Sequence, residues 1–402
     1  MAHYRQVGPV PGKRHTLFKD TDGRILSEEL MGEEGFSSDS SLLYHRHIPS
    51  GIVDARPWEL PDQTLVPNEP LLPRHLRLHD LFADEAVATT DAVTGRRLVL
   101  GNTDVRLSYA HVGATSPLYK NAIGDECVYV ERGSALLETQ FGALEATEGD
   151  YVVIPRATIH RWVLRTGETA RLYAIEASSH IAPPRRYLSR YGQLLEHAPY
   201  CERDLHGPTE PLLVEEQDVD VHIKHRGRGP SGMSGTITRC RSTPSTSSAG
   251  TGASTRTPST SATTCRSRAR CTSRRRRTRS SRGRASSSAT SSRARSTTTS
   301  SRCRCRTTTP TSTATRSCST STGTTRPARS GIGKGSISVH PGGHAHGPQP
   351  GAVEASLGAD HFDETAVMVD TFRPLELGEA GIAVDDGVYA RSWTGGRWLG
   401  GR

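Results

Sequence analysis

Residues 149–160 read GDYVVIPRATIH, and this stretch decides the fold class of the chain. An apolar, β-branched run from Tyr151 to Ile154 follows a glycine and stops at Pro155. The run is too short for a helix and its residue types favour a strand, whereas glycine and proline favour turns. We therefore predict a strand over 151–154, a turn, and a second strand that carries His160.

Similar short runs lie on both sides of this stretch. None has the period of an amphipathic helix, and turns that often contain glycine separate them. The pattern predicts an all-β fold of antiparallel strands in a sandwich or barrel. The runs cover 96–100, 105–109, 127–130, 135–139 and 171–175.

Composition sets one tract apart from the rest of the chain. Residues 240–330 contain only Cys, Arg, Ser, Thr, Pro, Ala and Gly, and include 20 Arg. Subtracting these from the 51 Lys and Arg of the chain leaves 31 against 42 Asp and Glu, so the net charge changes from +9 to −11. Basic charge that would indicate a nucleic-acid or anionic partner belongs entirely to this tract.

Cysteine use and hydropathy place the protein in a broad class. Six of the eight cysteines lie in the tract, and Cys127 and Cys201 alone do not make a disulfide framework. The first residues contain no apolar signal core, and no window approaches 18 uninterrupted apolar residues. We expect a soluble cytoplasmic protein without a membrane partner.

Histidines are densest over 338–351, SVHPGGHAHGPQPG, where His340, His344 and His346 fall within seven residues. The prolines exclude a helix and the glycines allow tight bends, so the imidazoles are expected at a strand end and turn. A β-barrel presents metal ligands at its mouth in this way. The alternatives are a metal-ligand cluster, a solvated loop or a set of hydrogen-bonding histidines.

The chain divides into four segments by pattern. In the arm, His45 and His47 can be structural hydrogen-bonders or ligands. The tract is predicted to be disordered or non-native, because almost nothing in it can bury apolar area to offset chain entropy. The segments are an N-terminal arm (1–60), a first barrel (61–182), a second barrel (183–239 and 331–402, with a buried strand at 366–369) and the anomalous tract (240–330).

Residues 149–160 resemble the second motif of the cupin jelly rolls, and 126–133, ECVYVERG, resemble the end of the first motif. The resemblance implies two cupin-like jelly-roll units. The His-x-His pair expected shortly before Glu126 is missing, because 119–122 read YKNA. Since Glu126 and His160 are too few for a tight metal site, we interpret the first barrel as structural and His160 as a satisfied interior histidine. A metal cupin of another class, such as an isomerase using Glu126 and His160, stays an alternative.

Three interpretations of the tract compete. A folded segment is implausible because almost nothing in the tract can bury apolar area. An Arg/Ser-rich segment that binds RNA by neutralising phosphates is a second function hypothesis, although the tract lacks a clear repeat and interrupts a barrel. The third is out-of-frame translation of GC-rich DNA. If the codons of 307–322 are read in a frame shifted by one nucleotide, they permit the amino-acid sequence YYHSNVDGDEVMFYVD, which restores a strand-like pattern. We favour the frameshift.

Residues 28–36 and 40–47, together with the turn 339–348, resemble the bacterial homogentisate 1,2-dioxygenases. The resemblance covers 4–239 and 331–395. It implies a two-barrel cupin enzyme that opens the ring of homogentisate with O2, giving maleylacetoacetate in tyrosine and phenylalanine catabolism. We also expect a homo-oligomer, with no nucleic-acid partner.

The same resemblance implies Fe(II) as the cofactor. Two His and one carboxylate leave three iron positions open for the substrate's oxygens and O2. His346 is implied to be an iron ligand at the substrate, and His340 to line the substrate pocket, whereas His344 has no assigned role.

The other iron ligands would come from a Tyr-Tyr-His…Asp-Glu segment that the chain does not contain. Its His and Glu codons appear as Thr309 and Arg316, and the family's catalytic His would lie around Thr272 or Thr278, so no catalytic residue is assigned. One His ligand cannot hold Fe(II) against water. We therefore predict that the chain as written binds no catalytic iron and is inactive.

Overall fold

The regular structure of the described residues is mainly β-strand with a few short helices, so the prediction of an all-β fold is confirmed. The computed structural model describes residues 3–10, 18–32, 35, 40–83, 87–228, 231–244, 247–254, 263–266, 315–321, 332–347, 349–351 and 365–394. Its strands are β1 (His3–Val7), β2 (Phe18–Lys19), β3 (Ile25–Gly32), β4 (Ser40–His45), β5 (Ile52–Trp58), β6 (Leu65–Val66), β7 (Arg74–Arg77), β8 (Arg97–Gly101), β9 (Val105–Val112), β10 (Leu118–Asn121), β11 (Glu126–Arg132), β12 (Ser134–Thr139), β13 (Gly142–Thr147), β14 (Asp150–Ile154), β15 (His160–Val163), β16 (Ala170–Ala177), β17 (Leu205–His206), β18 (Gln217–Arg226), β19 (Met233–Ser242), β20 (Ser247–Ser254), β21 (Thr263–Arg266), β22 (Thr315–Ser321), β23 (Ser336–His340), β24 (Thr365–Thr371) and β25 (Glu376–Gly378).

Helices are few and short. The α-helix α1 spans Glu379–Ala383, and 3-10 helices span Leu78–Phe82, Val87–Thr89, Arg185–Tyr187, Glu202–Asp204 and Tyr389–Thr394. Within the described part of the chain, no helix has the length and apolar character needed to cross a membrane.

The stretch 149–160 folds as its residues predict. Gly149 adopts a φ of +92°, which glycine tolerates because it has no Cβ, and β14 follows it. After Pro155, the backbone turns through Ala157, whose φ of +66° is unusual for a residue with a side chain. The Ala157 N–H donates to the Asn121 carbonyl over 2.7 Å, which fixes the turn that delivers His160 to β15.

Eight strands of the first compact unit form a jelly roll. Strands β9, β16, β11 and β14 lie side by side in one antiparallel sheet, and β10, β15, β12 and β13 lie in the other. In chain order this is the Greek-key arrangement of jelly rolls, which avoids long exposed edges. The described residues of this unit fall within 1–64, 85–98 and 105–267.

The core of the first unit lies among the inward residues of these strands. Alternate positions of β12 and β13 are buried and half-buried or exposed, as expected for strands with one face on the core. Trp162 is fully buried at its centre. Its apolar neighbours in the cluster include Val128, Leu137, Val152 and Leu172.

A hairpin from the segment 183–239 extends the second sheet. Strand β18 pairs in parallel with β10, aligning Asn121 with Lys224, and β19 pairs with both β18 and β5. The hairpin therefore belongs to the first compact unit. The predicted domain boundaries, which group 183–239 with 331–402, stay a prediction.

The N-terminal arm contributes four strands to a separate five-stranded sheet of the first unit. Strands β3 and β4 form an antiparallel hairpin, and β20 lies between β4 and β1. His45, at the end of β4, is buried and its Nε2 lies 2.8 Å from Glu29 Oε2. This His has a structural partner, and His47 is half-buried.

Three segments of the Arg-rich tract are strands, although the sequence predicts disorder or non-native structure there. Strand β21 pairs with β14, and β20 and β22 also pair with flanking strands. Pairing uses backbone N–H and C=O groups that every non-proline residue carries, so a sequence without apolar side chains can still form it. The rest of the tract lies outside the described residues.

The second compact unit contains the sheet β24-β22-β23-β7, all antiparallel. Its described residues fall within 65–84, 99–104 and 268–402. The predicted buried strand at 366–369 is part of β24, where Val367 and Val369 are 1% exposed. Strand β23 runs out of this sheet directly into the histidine turn.

Candidate functional site

Four buried charged side chains meet inside the first unit: Arg96, Glu126, Glu176 and Lys224. Glu126 on β11 and Glu176 on β16 are direct partners across two neighbouring strands. Like charges opposite each other in a sheet are destabilising, so this pair requires cations. Arg96 precedes β8 and Lys224 comes from β18, and both reach the carboxylates.

Arg96 bridges the two glutamates. Its Nη2 donates to Glu126 Oε2 over 2.9 Å, its Nη1 donates to Glu176 Oε1 over 3.2 Å, and its Nε donates to the Ala92 carbonyl over 2.7 Å. Lys224 Nζ donates to Glu176 Oε2 over 2.5 Å. Two cations and two carboxylates thus form a buried group with no net charge.

The carboxyl of Glu126 is held ionised. Burial alone would raise its pKa, but the Arg96 guanidinium beside it lowers the pKa to about 2. Asn121 Nδ2 donates to the other carboxylate oxygen over 2.9 Å, so both oxygens have donors. Burial lowers the Arg96 pKa and the two glutamates raise it more, so the guanidinium stays protonated.

His160 lies beside this group and is fully buried. Its Nδ1 lies 3.0 Å from the Thr158 carbonyl, which accepts only if Nδ1 carries the proton. Burial lowers the pKa of the imidazole, which favours the neutral ring. Its Nε2 therefore presents a lone pair, and that atom is buried without a hydrogen-bond partner among the described residues. The interpretation of His160 as satisfied holds for Nδ1 only.

Tyr119 closes the space between His160 and Arg96. Its ring contacts the His160 ring edge-on at 5.4 Å between centroids, and the Arg96 guanidinium lies 5.5 Å from the same ring. A cavity of about 20 Å³ borders the charged group and is lined by Trp58, Leu60, Pro61, Gln63, Val93, Arg96, Tyr119, Glu176 and Lys224. It has room for about one water molecule.

The histidine turn of the second unit brings two of its three histidines together. The rings of His340 and His346 stack at 4.4 Å between centroids, with an angle of 29° between their planes. His346 Nδ1 is buried without a hydrogen-bond partner among the described residues. His344 is exposed and bonds the Leu71 carbonyl through Nε2 at 2.8 Å. His344 is thus separate from the pair, as expected.

Two aromatic side chains of the 3-10 helix Tyr389–Thr394 pack on this pair. Tyr389 and Trp393 contact the His340 ring edge-on, at 5.7 Å and 6.2 Å between centroids. Trp393 Nε1 also donates to the Gly347 carbonyl over 3.1 Å. The helix therefore holds the turn from one side.

The helix itself is tied to the sheet below by a carboxylate. Asp386 Oδ1 accepts from the backbone N–H groups of Val388 and Tyr389, each over 3.0 Å. Its Oδ2 lies 2.7 Å from Nδ1 of the buried His75 on β7. The His75 Nε2 contacts Ser336 Oγ at 2.9 Å, at the start of the strand that ends in His340.

Strand β22 of the tract lies beside the strand that leads into the histidine turn. In β22, Arg316 is the direct partner of His340 on β23 and of Asp370 on β24. The expected positions of the other ligands and of the catalytic His, Thr309, Thr272 and Thr278, lie outside the described residues. Within the described residues, no three His, Cys, Asp or Glu side chains gather as a metal site.

Sequence patterns did not predict the residues that organise the buried charged group and the histidine turn. Arg96 and Lys224 are scattered charges at the edge of apolar runs, and their partner Glu176 lies 80 and 48 positions away from them. The available signal was a single Glu inside the otherwise apolar end of β16, because a charge in a buried strand requires a partner.

Comparison with known proteins finds a relative of nearly full length. The chain is 30% identical over 397 residues to a protein of Saccharolobus solfataricus described as "Putative dioxygenase SSO1533", covering 98% of this chain and 99% of that protein. No family model matches the chain.

The solved structures that are similar to part of the chain include two cupin proteins. A cupin-2 domain protein of Shewanella frigidimarina is 20% identical with a TM-score of 0.19, covering 20% of this chain and 78% of that one. A cupin-like protein of Thermotoga maritima is 17% identical with a TM-score of 0.18, covering 19% of this chain and 58% of that one.

Proposed function

Because the chain belongs to the same family as the dioxygenase-like protein of Saccharolobus solfataricus, we propose that it is a homogentisate 1,2-dioxygenase whose iron site is incomplete as the chain is written. The reaction would be Fe(II)-dependent, extradiol-type ring cleavage with O2. The family to which the chain belongs and the reaction that this polypeptide can carry out are therefore separate matters.

The aromatic side chains that surround the histidine turn support an aromatic substrate. Aromatic rings prefer offset-stacked and edge-to-face contacts, and the His340 ring stacks on His346 and contacts Tyr389 and Trp393 edge-on. This surface suits a small planar ring. The resemblance of the arm 28–47 and the turn 339–348 to the homogentisate enzymes supports the particular substrate.

The residues present do not fit Fe(II). Such a site needs two imidazoles and a carboxylate arranged on one face of the metal, and the described residues contain no group of three suitable side chains. At the register position opposite His340, where the family's Glu is expected, the chain carries Arg316. A guanidinium has no lone pair to offer and is always positively charged, so it cannot replace the carboxylate.

The test compares the chain as written with a chain in which 240–330 is translated in the shifted frame. With Fe(II) and O2 supplied, the written chain is expected to bind no stoichiometric iron and to consume no homogentisate. The shifted chain is expected to do both. Oxygen uptake and iron content after gel filtration are the two measurements.

Matched variants of the shifted chain locate the site. His346→Ala should abolish iron binding, whereas His344→Ala, two residues away and exposed, should leave it unchanged. Turnover by the written chain that depends on His346 would overturn the prediction of inactivity. Iron binding by the shifted chain without consumption of homogentisate would overturn the substrate.

A further inference from the structure

Four buried tyrosines form one row across a sheet of the first unit. Tyr109 on β9 is the direct partner of Tyr173 on β16. Tyr173 is the partner of Tyr129 on β11, and Tyr129 is the partner of Tyr151 on β14, with 4.9 Å between the centroids of these last two rings. Side chains directly opposite each other on neighbouring strands lie close together on one face. The four rings therefore follow one another across four strands, each 5% exposed or less.

The row lies on the face of the sheet opposite the apolar core. Val128, Val130, Val152 and Leu172 are next to the tyrosines in the chain and belong to the core cluster, and successive side chains of a strand point to opposite faces. Phenylalanine would fill the face of the tyrosines equally well, without a hydroxyl whose burial is costly unless it is hydrogen-bonded. Four tyrosines in one row therefore indicate a use for the chemistry of the phenol.

One end of the row has a proton acceptor. The Tyr109 hydroxyl donates to Glu131 Oε2, and Glu131 is 1% exposed. Burial and the Glu131 carboxylate raise the pKa of the Tyr109 phenol, so the phenol is protonated before any oxidation. An ionised carboxylate offers only acceptors. Glu131 is therefore placed to take the phenolic proton when the Tyr109 ring loses an electron.

We propose that the tyrosine row, defined as Tyr109, Tyr173, Tyr129 and Tyr151, is a one-electron relay for oxygen-derived oxidants that ends in a radical at Tyr109. The oxidant gains one electron and the row loses one. Electron transfer between neighbouring rings moves the missing electron to Tyr109, whose hydroxyl proton passes to Glu131, and a neutral phenoxyl radical forms. A thiol reductant then returns one electron to Tyr109, and the proton returns from Glu131.

The inference goes beyond ring cleavage and does not rest on the proposed substrate or on the iron site, because every residue of the row lies in the first unit. The function of the relay is protective. An oxidising equivalent that enters the row ends on a phenol that a reductant can restore, and not on a side chain whose oxidation is irreversible.

The test oxidises the full chain with flash-generated tris(bipyridine)ruthenium(III), a one-electron oxidant, and freezes it for electron paramagnetic resonance. We expect a long-lived neutral tyrosyl radical that Tyr109→Phe removes. Tyr44→Phe is the matched control, because Tyr44 is also buried and donates to a carboxylate oxygen, Glu28 Oε2, over 3.2 Å, but it lies in the arm and outside the row. This control should keep the long-lived radical.

Two more variants test the proton acceptor and the path. Glu131→Gln keeps the size of the side chain but removes the carboxylate. It should lower the yield of the long-lived radical at least about tenfold, because a positioned proton acceptor contributes about 10²–10⁴-fold to a rate. Tyr129→Phe leaves Tyr109 and Glu131 in place but interrupts the row, so it should also lower the yield. Circular dichroism establishes that each variant is folded like the parent.

Four results would overturn the proposal. They are a parent chain without a long-lived tyrosyl radical, a radical that persists in Tyr109→Phe, a yield in Tyr129→Phe equal to that of the parent, and a yield in Glu131→Gln equal to that of the parent. If Tyr109→Phe does not fold, the yields of Glu131→Gln and Tyr129→Phe decide the matter.

Discussion

Replacing Arg96 with Met should destabilise the first unit severely, in a way that depends on pH. Met matches the length of the Arg stem but carries no charge, so Glu126 keeps only the neutral Asn121 donor while Glu176 keeps Lys224. Breaking a buried ion pair by removing one partner costs about 3–5 kcal/mol. We expect Arg96→Met to lower the free energy of unfolding by this amount at pH 7.

The lowered pKa of Glu126 gives a second value for the stability that Arg96 contributes. In the parent, the pKa is lowered from 4.5 to about 2, which corresponds to about 3 kcal/mol in favour of the folded state at pH 7. That contribution is present above pH 4.5 and is lost as the pH falls towards 2. In Arg96→Met, burial dominates and raises the pKa, so the penalty on the folded state is instead relieved as the pH falls towards 4.5.

Between pH 7 and pH 4.5 the contribution in the parent stays nearly constant while the penalty in the variant is relieved, so the difference in stability between parent and variant should shrink as the pH falls through this range. The matched control is Arg97→Met, which removes the same charge from the exposed neighbouring position and should cost much less than Arg96→Met, because the charge it removes is not buried. Urea unfolding is followed by hydrogen exchange with mass spectrometry on peptides of β11 and β16, which report on the first unit.

A loss in Arg96→Met no larger than that in Arg97→Met would refute this account of the charged group. So would a difference between Arg96→Met and the parent that grows as the pH is lowered, since Glu126 would then not be the group left without its cation.

Two further predictions concern packing and capping. Gly133→Ala should destabilise the first unit by about 1–3 kcal/mol more than Gly149→Ala, as measured by thermal melts. Both glycines have positive φ. A Cβ at Gly133 would clash with the Thr169 carbonyl oxygen, whereas nothing lies within 4 Å of a Cβ at Gly149. Equal effects would show that backbone strain alone decides the cost. In the second unit, Asp386→Ala removes the carboxylate partner of the buried His75 and two backbone caps. Hydrogen exchange over 388–394 should speed up by about fivefold to 150-fold, for a loss of about 1–3 kcal/mol. Unchanged exchange there would contradict the capping role.

The local sequence pattern was sufficient to predict most of the jelly-roll strands of the first unit. Runs such as 151–154 and 171–175 became β14 and β16 because a short apolar run between turn residues has few alternatives to a buried strand. The histidine turn also lies at a strand end, as its prolines and glycines indicate. These predictions depend on neighbours in the chain, which a single sequence displays.

The charged group could not be predicted in the same way. The partners of Arg96 are 30 and 80 positions distant, and nothing local distinguishes it from the exposed Arg97 beside it. Likewise, the alignment of Arg316 with His340 is a property of strand register across 24 positions. Long-range pairing of charges and strands is set by the folded topology, which no short window contains.

The position of Lys224 has a consequence for how the first unit comes into being. The jelly-roll strands are complete once residue 177 has been synthesised, yet Glu176 receives one of its two cations from β18, 48 residues later. Until that strand joins β10, a nascent barrel holds two neighbouring carboxylates against one guanidinium. A fragment that stops at 182 would carry this imbalance permanently, so autonomous folding should require a chain that extends past β18.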